Sequence, residues 1–320
     1  MEENEDALTN RTLRIGTRGS LLALKQSTMV KETLESLWSG LRVELHIIKT
    51  TGDKILDVPL AKVGGKGLFV KEIEDALLAE QVDLAVHSIK DVPALLPPGL
   101  EIGAIPRRED PRDVLITRSG EGLDALPSGA RVGTSSLRRS AQLKSQRPDL
   151  DIRNLRGNLD TRLRKLHEGM YDAILLAAAG MHRMGWEDKI SHYLDRDAFI
   201  PAIGQGAIGI ELRTADVEVH QILAPVHDAD TAVAVEAERS LLRELEGGCQ
   251  VPIGGHAFVR GDDVTLTGLV ASLDGRKVFR VTRYALRQDA EALGREVARA
   301  LLDRGARQVL AEIYSDGASS

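Results

Sequence analysis

The sequence predicts an α/β protein made of two lobes of the same design, with mainly parallel sheets, followed by a smaller α+β domain. A short apolar strand that ends in Gly-Thr and runs into a helix occurs twice, at residues 13–17 and 131–134. Later in each lobe comes a buried-strand pattern that starts with Asp, at residues 83–86 and 172–176. Apolar strands that alternate with amphipathic helices indicate parallel sheets covered on both faces.

The remaining elements follow from local signals, and from about residue 228 the pattern changes to a long helix and a hairpin. Asp274-Gly275 between two alternating strands is a strong hairpin signal. The predicted helices cover about residues 20–38, 136–146, 231–245 and 289–303, and the hairpin strands cover 264–273 and 277–284.

A charged segment with prolines, residues 105–112, marks the predicted boundary between the two lobes, and a second crossing is expected near residues 200–206. The first lobe takes residues 12–106 and also 207–226, because residues 207–212 form a strand pattern that can return to it. The second lobe takes residues 107–206, and the α+β domain takes 227–316. Residues 1–11 and 317–320 are expected to be flexible ends.

The composition is that of a globular protein with aliphatic cores, since 42% of the 320 residues are hydrophobic and only 3% are aromatic. The net charge of −6 argues against a general affinity for nucleic acid or for an anionic membrane surface. We expect no signal peptide in the acidic first residues, and no apolar run has the length of a membrane span. A single cysteine, which cannot form an internal disulfide, fits a cytoplasmic protein.

That cysteine, Cys249, lies in a glycine-rich stretch between Glu246 and Gly255. A free cysteine is most often a small buried hydrophobe, which is the inert interpretation. The flanking glycines favour another interpretation, because they let the backbone turn sharply and let a bulky group approach the sulfur. Cys249 is therefore a candidate covalent attachment point or nucleophile.

A concentration of positive charge in the second lobe indicates a binding site for an anionic small molecule. Residues 131–165 hold ten Lys or Arg against three Asp or Glu. Arg138 and Arg139 are adjacent, so we expect that they cannot both point to the same side, and that one or both lie beside the helix start at Ser136. Helix N-termini bind anions and arginine binds carboxylates in a fork. A solvated helix face remains the alternative, whereas nucleic acid is disfavoured because the segment has no Phe, Tyr or Trp for base stacking.

Further basic residues fall on loops that we expect to face the same cleft between the lobes: Arg18, Lys62, Lys66, Arg156 and Arg162. The glycine-rich loop between the two lysines lacks the full phosphate-loop pattern. Asp91 stands just past the end of a buried strand, as either a turn-forming residue or a carboxylate kept ionised by a cationic cleft. Lys90 could partner it or contact the ligand. No cluster has metal-ligand spacing, so we predict no metal.

Taken together, several unusual segments resemble the porphobilinogen deaminase (hydroxymethylbilane synthase) family, in that family's order and over almost the whole chain. They cover residues 14–18, 59–69, 87–93, 133–139, 155–158, 201–206 and 246–254. The resemblance implies two lobes like those of type II periplasmic binding proteins, with a C-terminal domain that presents a cofactor. It also implies a monomeric enzyme of tetrapyrrole (haem-type) biosynthesis. The enzyme would deaminate porphobilinogen and join four molecules head to tail, with porphobilinogen and the growing polypyrrole chain as its only partners.

The resemblance also assigns residues. It implies a dipyrromethane cofactor fixed by a thioether to Cys249, and Asp91 as the catalytic carboxylate. Cofactor binding falls to Lys90, Ser136, Arg138, Arg139, Arg156 and Gly157. Substrate binding falls to Arg18, Ser20, Arg162 and Gln205, and a lid loop would carry Lys62 and Lys66.

Two other functions compete with this interpretation. A two-lobed binding protein for a carboxylated molecule, without chemistry, would leave the Cys249 loop unexplained. A thiol enzyme that transfers acyl groups through Cys249 would need a nearby base, and His256 is close in sequence. Alkylation separates the alternatives, because a cysteine that already carries a cofactor cannot be alkylated.

Overall fold

A computed structural model describes residues 12–51, 70–246 and 251–318, so the predictions for Lys62, Lys66, Cys249, residues 1–11 and residues 319–320 lie outside the described residues. Residues 317 and 318, expected to belong to a flexible end, are instead the last residues of a helix. The described chain forms two compact units. Of the described residues, the first holds 12–51 and 70–108 together with Ala207–Ala232. The second holds Glu109–Gly206 and the residues from Val233 onward, and thus takes in both the second lobe and the C-terminal domain.

The first lobe places its strands where apolar residues alternate with polar ones. In β1, Leu13 and Ile15 are fully buried. The helix that follows begins where predicted, because the Ser20 side chain caps it by accepting a hydrogen bond from the amide of Ala23 at 3.4 Å. The elements are β1 (Thr12–Thr17), α1 (Leu21–Leu37), β2 (Arg42–Ile47), α2 (Lys71–Leu78), β3 (Leu84–Ser88) and β4 (Leu100–Ala104).

The second lobe repeats this plan, again with a capping serine, Ser136, at the start of the helix that follows its Gly-Thr strand. It is entered by an additional strand, β5, before that repeated strand. The elements are β5 (Asp113–Thr117), β6 (Arg131–Gly133), α3 (Leu137–Gln146), β7 (Asp151–Arg153), α4 (Leu159–His167), β8 (Ala173–Ala177), α5 (Ala178–Arg183) and β9 (His192–Tyr193).

The chain then returns to the first lobe through β10 (Ile208–Arg213) and α6 (Val217–Leu223), as predicted. The two five-stranded sheets have matching strand orders, β2-β1-β3-β10-β4 and β7-β6-β8-β5-β9. In each sheet the fourth strand is the one that enters from the other lobe, and it pairs antiparallel with both neighbours. The other strands of each sheet run in one direction, which confirms the prediction of mainly parallel sheets. Each sheet is covered by apolar residues on both faces.

A matching ion pair confirms that the lobes share one design. Arg14 in β1 donates to Asp83 from its backbone amide and from Nη2, both at 2.8 Å. Arg131 in β6 donates to Asp172 in the same way, at 2.9 and 2.8 Å. Both aspartates stand immediately before the strand that is third in the order of its sheet, β3 or β8. A second arginine, at the end of the entering strand or just after it, joins each pair: Arg213 in the first lobe and Arg118 in the second.

The C-terminal part has a three-stranded antiparallel sheet in the order β11-β12-β13, with helices packed on it. The predicted hairpin is present, and Gly275 adopts a φ of 73° in its turn. The last two helices are separated by a kink at Gly305, where φ is 112°. The elements are α7 (Ala229–Glu244), β11 (Ile253–Arg260), β12 (Asp263–Ala271), β13 (Val278–Leu286), α8 (Ala290–Leu301) and α9 (Arg307–Ala318). Within the described ranges, every helix is too short or too polar to cross a membrane.

Candidate functional site

The predicted residues of the first lobe lie at the edge of its sheet where the parallel strands end. Asp91 closes a single 3₁₀ turn, Ile89–Asp91, that follows β3, and its side chain is exposed. The turn is fixed by hydrogen bonds from Ile89 N to Ala207 O at 3.0 Å and from Val92 N to Ile89 O at 3.1 Å. Lys90, in the same turn, is half-buried. The fold therefore presents an exposed carboxylate on a rigid turn at the end of a buried strand.

Two more predicted residues follow β1 at the same edge. Arg18 is half-buried, and Ser20 caps α1. Just before them, the buried hydroxyl of Thr17 accepts a hydrogen bond from Ser27 at 2.8 Å, which ties the end of β1 to α1. Ligands of such sheets bind at this edge, beyond the carboxyl ends of the strands.

In the second lobe, the corresponding edge collects the predicted arginines. Arg156 follows β7, and its Nη1 is buried without a hydrogen-bond partner in the part of the chain that the structure describes. The rest of the residue is anchored, since Lys165 Nζ donates to its carbonyl oxygen at 3.1 Å. A buried donor without a partner is costly, and a guanidinium matches a carboxylate. The position of Arg156 therefore fits an anionic ligand.

Gly157 allows the chain to turn sharply after Arg156. Its φ is 115°, and a Cβ at this position would lie 2.6 Å from Thr161 Cγ2. Arg162 Nε donates to the carbonyl oxygen of Gly157 at 2.8 Å, so the second predicted arginine of this loop is held against it. Ser136 stands at the neighbouring helix start, where its Oγ accepts from the amide of Arg139 at 3.4 Å.

Arg138 and Arg139 both contact the carboxylate of Asp113. Arg138 Nη1 lies 2.7 Å from Asp113 Oδ2, and Arg139 Nε lies 2.8 Å from Oδ1. Each guanidinium also donates to a backbone carbonyl, that of Ile200 at 2.6 Å and that of Leu175 at 3.0 Å. The expectation that adjacent arginines cannot point to the same side is therefore wrong. Neighbouring helix residues do differ by about 100° in direction, but an arginine side chain is long enough to bend around that difference.

Electrostatics holds this buried group together. Burial by itself would raise the pKa of Asp113, but Arg138 and Arg139 outweigh it and hold that pKa well below its usual range. Burial lowers the pKa of Arg139, and Asp113 opposes that effect. Gln205, a predicted substrate residue, joins the group by donating from Nε2 to Asp113 Oδ1 at 3.1 Å and to Pro111 O at 2.7 Å.

Sequence reasoning missed two residues at this edge. Asp113 was overlooked, although an acid at the first position of a strongly apolar strand is a detectable signal. Arg183 ends α5, the short helix directly after β8, and donates to Gly206 O at 2.6 Å. Burial lowers the pKa of Arg183 to about 10, and Glu109 opposes the shift. Its position shortly after the buried strand β8 could have indicated Arg183 from the sequence.

The described residues that flank Cys249 in sequence belong to the same unit as the second lobe. Beyond the loop, β11 packs closely on the segment before Gln205, since Gly255 N donates to Pro201 O at 2.9 Å and a Cβ on Gly254 would lie 3.1 Å from that oxygen. The buried carboxylate of Glu238 fastens the two further by accepting from Gly204 N at 2.6 Å and from Ala257 N at 2.7 Å. β11, the strand that follows Cys249 in sequence, is thus fixed next to the segment that carries Gln205.

Among the described residues, no group of three or more His, Cys, Asp or Glu side chains is arranged to hold a metal ion.

Comparison with known proteins gives consistent matches over nearly the whole chain. Residues 13–221 match the family model "Porphobilinogen deaminase, dipyromethane cofactor binding domain", and residues 232–303 match "Porphobilinogen deaminase, C-terminal domain". A porphobilinogen deaminase of Syntrophobacter fumaroxidans is 68% identical over 307 residues, which cover 96% of this chain and 99% of the relative. One of Syntrophotalea carbinolica is 56% identical over 306 residues, covering 96% of this chain and 97% of the relative. The solved structure of the methionine binding protein MetQ has a TM-score of 0.43 at 12% identity, over 67% of this chain and 87% of that one, a likeness from which we argue nothing.

Proposed function

Because this chain belongs to the porphobilinogen deaminase family, we propose how its residues divide that family's reaction among themselves. The enzyme is a transferase of tetrapyrrole biosynthesis. It carries a dipyrromethane cofactor, deaminates four porphobilinogen molecules and joins them head to tail, and releases hydroxymethylbilane and ammonia. The two lobes share one strand order, which fits the type II periplasmic-binding-protein lobes expected of this family.

Asp91 is the catalytic carboxylate in this proposal, and its exposed position on a rigid turn is the observation that carries it. Loss of ammonia from porphobilinogen leaves positive charge on a methylene carbon that is conjugated with the pyrrole ring. A carboxylate that accepts the ring N–H stabilises this charge as it develops. Formation of the new carbon–carbon bond releases a proton, which the same carboxylate can accept. We assign Lys90, in the same turn, to a carboxylate of the cofactor.

The residues of the second lobe fit the dipyrromethane cofactor. Each of its two rings bears an acetate and a propionate, so the group needs cationic donors. Arg156 supplies a buried Nη1 without a partner among the described residues, and Gly157, with its φ of 115°, allows the sharp turn that follows it. Ser136 adds a hydroxyl at a helix start. We propose that these residues hold the cofactor and that a thioether to Cys249 attaches it. The bound cofactor supplies the free ring carbon to which the first porphobilinogen is joined.

Arg138 and Arg139 share the proposed cofactor contacts. A guanidinium has five N–H donors, and the contacts of each arginine with Asp113 and one backbone carbonyl use only part of them. The remaining donors are those we assign to carboxylates of the cofactor.

The substrate-binding residues stay a prediction in each lobe taken by itself, Arg18 and Ser20 in the first and Arg162 and Gln205 in the second. We assign the carboxylates of the incoming porphobilinogen to Arg18 and Arg162, and the contacts with its ring to Ser20 and Gln205. The lid role of Lys62 and Lys66 stays a prediction, since both residues lie outside the described ranges. We further propose a monomer that works in the cytoplasm, where the Cys249 thiol stays reduced until it is loaded.

Replacement of Asp91 by Asn tests the catalytic assignment. Because the side chain is exposed, Asp91→Asn is expected to fold with an unchanged unfolding midpoint and to lose at least about 100-fold in turnover of porphobilinogen. Asp75→Asn, which removes another exposed carboxylate of the same lobe, is the matched control and should retain full turnover. Parent-like turnover by Asp91→Asn would rule out the role.

A further inference from the structure

Asp113 reaches the ligand edge of the second lobe because of the direction of its strand. It is the first residue of β5, which runs antiparallel to β8, and it is paired with Ala177, the last residue of β8. A strand that enters the sheet in the opposite direction begins where its parallel neighbours end. The carboxylate is completely buried there, with 0% of its side chain exposed.

The first lobe shows that the fold itself does not need an acid at this position. Its entering strand, β10, begins with Ile208, which is paired with Ser88, the last residue of β3. Ile208 thus occupies the place that Asp113 has in the second lobe, and it is buried in an apolar core. The same architecture is built with an isoleucine in one lobe and an aspartate in the other. The acid therefore has a role that is specific to the second lobe and that the fold alone does not require.

The charges of the group indicate that purpose. Two buried guanidinium groups meet one buried carboxylate, so this set carries one positive charge in excess. Burying ions is costly, and replacing a buried ionic group by apolar residues is often stabilising. The group is therefore poorly explained as a source of stability. An excess positive charge that is held rigid at a ligand edge suits one additional carboxylate from a ligand.

We infer that Asp113 is a positioning residue that gathers Arg138, Arg139 and Gln205 into one group, oriented to bind a carboxylate of the dipyrromethane cofactor. This inference rests on the proposed function, in which the two arginines contact the cofactor. Asp113 touches neither cofactor nor substrate in this account. It fixes the directions of both guanidiniums and, through Oδ1, of the Gln205 amide.

The chain offers a matched control in the same lobe. Asp172 also binds two arginines, Arg131 at 2.8 Å and Arg118 at 3.0 Å. It stands before β8, at the opposite end of the sheet from Asp113, and far along the strand from the residues assigned to ligands. Asp172→Asn therefore removes the same charge from an arginine pair of the same lobe without touching the proposed site.

The test follows cofactor loading by intact mass in full-length protein. The loaded fraction is measured as purified, and porphobilinogen is then added to the unloaded fraction and the gain in mass is timed. We expect Asp113→Asn to load at least about tenfold more slowly than the parent, because misplaced binding groups slow a reaction steeply, whereas Asp172→Asn should load at the parent rate. Thermal unfolding is recorded for each variant. Equal loading rates for Asp113→Asn and Asp172→Asn would overturn the inference.

If Asp113→Asn does not fold, the loading rate of Asp113→Glu tests the inference instead. It keeps the negative charge and moves it by one methylene, so we expect a folded protein that loads more slowly than the parent, and loading at the parent rate would overturn the inference. Failure of the proposed function is visible separately. A parent protein that gains no mass from porphobilinogen would remove the cofactor assignment itself, together with the role that Asp113 has in it.

Discussion

Removing the charge of Glu74 while keeping its shape is expected to stabilise the first lobe at neutral pH much more than in acid. Glu74 lies in α2 and is buried with His87 of β3 and Glu211 of β10, whose side chains approach to 2.9 Å. Burial and the nearby Glu211 raise the pKa of Glu74 from 4.5 to about 7, while His87 opposes the shift and the neighbouring Asp75 adds to it. The folded protein thus keeps a proton that the unfolded chain releases.

The size and sign of the effect follow from this difference. One pKa unit corresponds to about 1.4 kcal/mol, so the difference between the folded and unfolded pKa values of Glu74 is worth roughly 3 kcal/mol. The stabilising proton is fully bound below pH 4.5 and is lost as the pH rises through about 7. The parent should therefore lose stability over this range relative to Glu74→Gln, which carries no charge at any pH.

Urea unfolding from about pH 5 to about pH 8 measures the effect. The chain has two tryptophans, of which Trp38 belongs to the first unit and donates to Ile222 O at 3.0 Å. A Trp186→Phe background makes fluorescence report the first lobe alone. Glu32→Gln, which removes an exposed acid of α1 in the same lobe that is not among the groups shifting the pKa of Glu74, is the control and should follow the parent. A constant difference between Glu74→Gln and the parent over the whole range would refute the reasoning.

Two further predictions concern the Arg156 loop. Arg156→Leu should fold normally and load dipyrromethane at least about tenfold more slowly, as measured by intact mass, because the cofactor carboxylate loses its contact with Nη1. The control Arg164→Leu, at an exposed site nearby, should load at the parent rate. Gly157→Ala should lower the unfolding midpoint by several degrees and raise the KM for porphobilinogen, because φ is 115° and the new Cβ would collide with Thr161. An unchanged unfolding midpoint and an unchanged KM for Gly157→Ala would contradict this second prediction.

Local signals predicted the parts of the fold that depend on neighbouring residues. Ser20 and Ser136 cap the helices expected after the two Gly-Thr strands, and Asp274-Gly275 forms the hairpin turn. The duplication was visible for the same reason, since Asp83 and Asp172 mark corresponding strands. The return of β10 could be predicted because its apolar run follows a proline-flanked crossing.

The arginine group could not be predicted in this way, because it depends on contacts between residues far apart in sequence. The sequence placed Arg138 and Arg139 at a helix start but contained no sign that both converge on Asp113, some 25 residues earlier. Their common partner is set by the antiparallel direction of β5, which is a property of the whole sheet. The position of Arg183 depends equally on how α5 follows β8.

The intact mass of the purified protein, measured without reduction or alkylation and followed by peptide mapping, tests the central claim most directly. We expect an excess of mass that matches two linked pyrroles and lies on the peptide that contains Cys249. This excess should be absent from Cys249→Ser, and Cys249 of the parent should resist alkylation. A protein with the mass of the bare chain, which gains nothing from porphobilinogen and whose Cys249 is alkylated readily before and after that treatment, would contradict it.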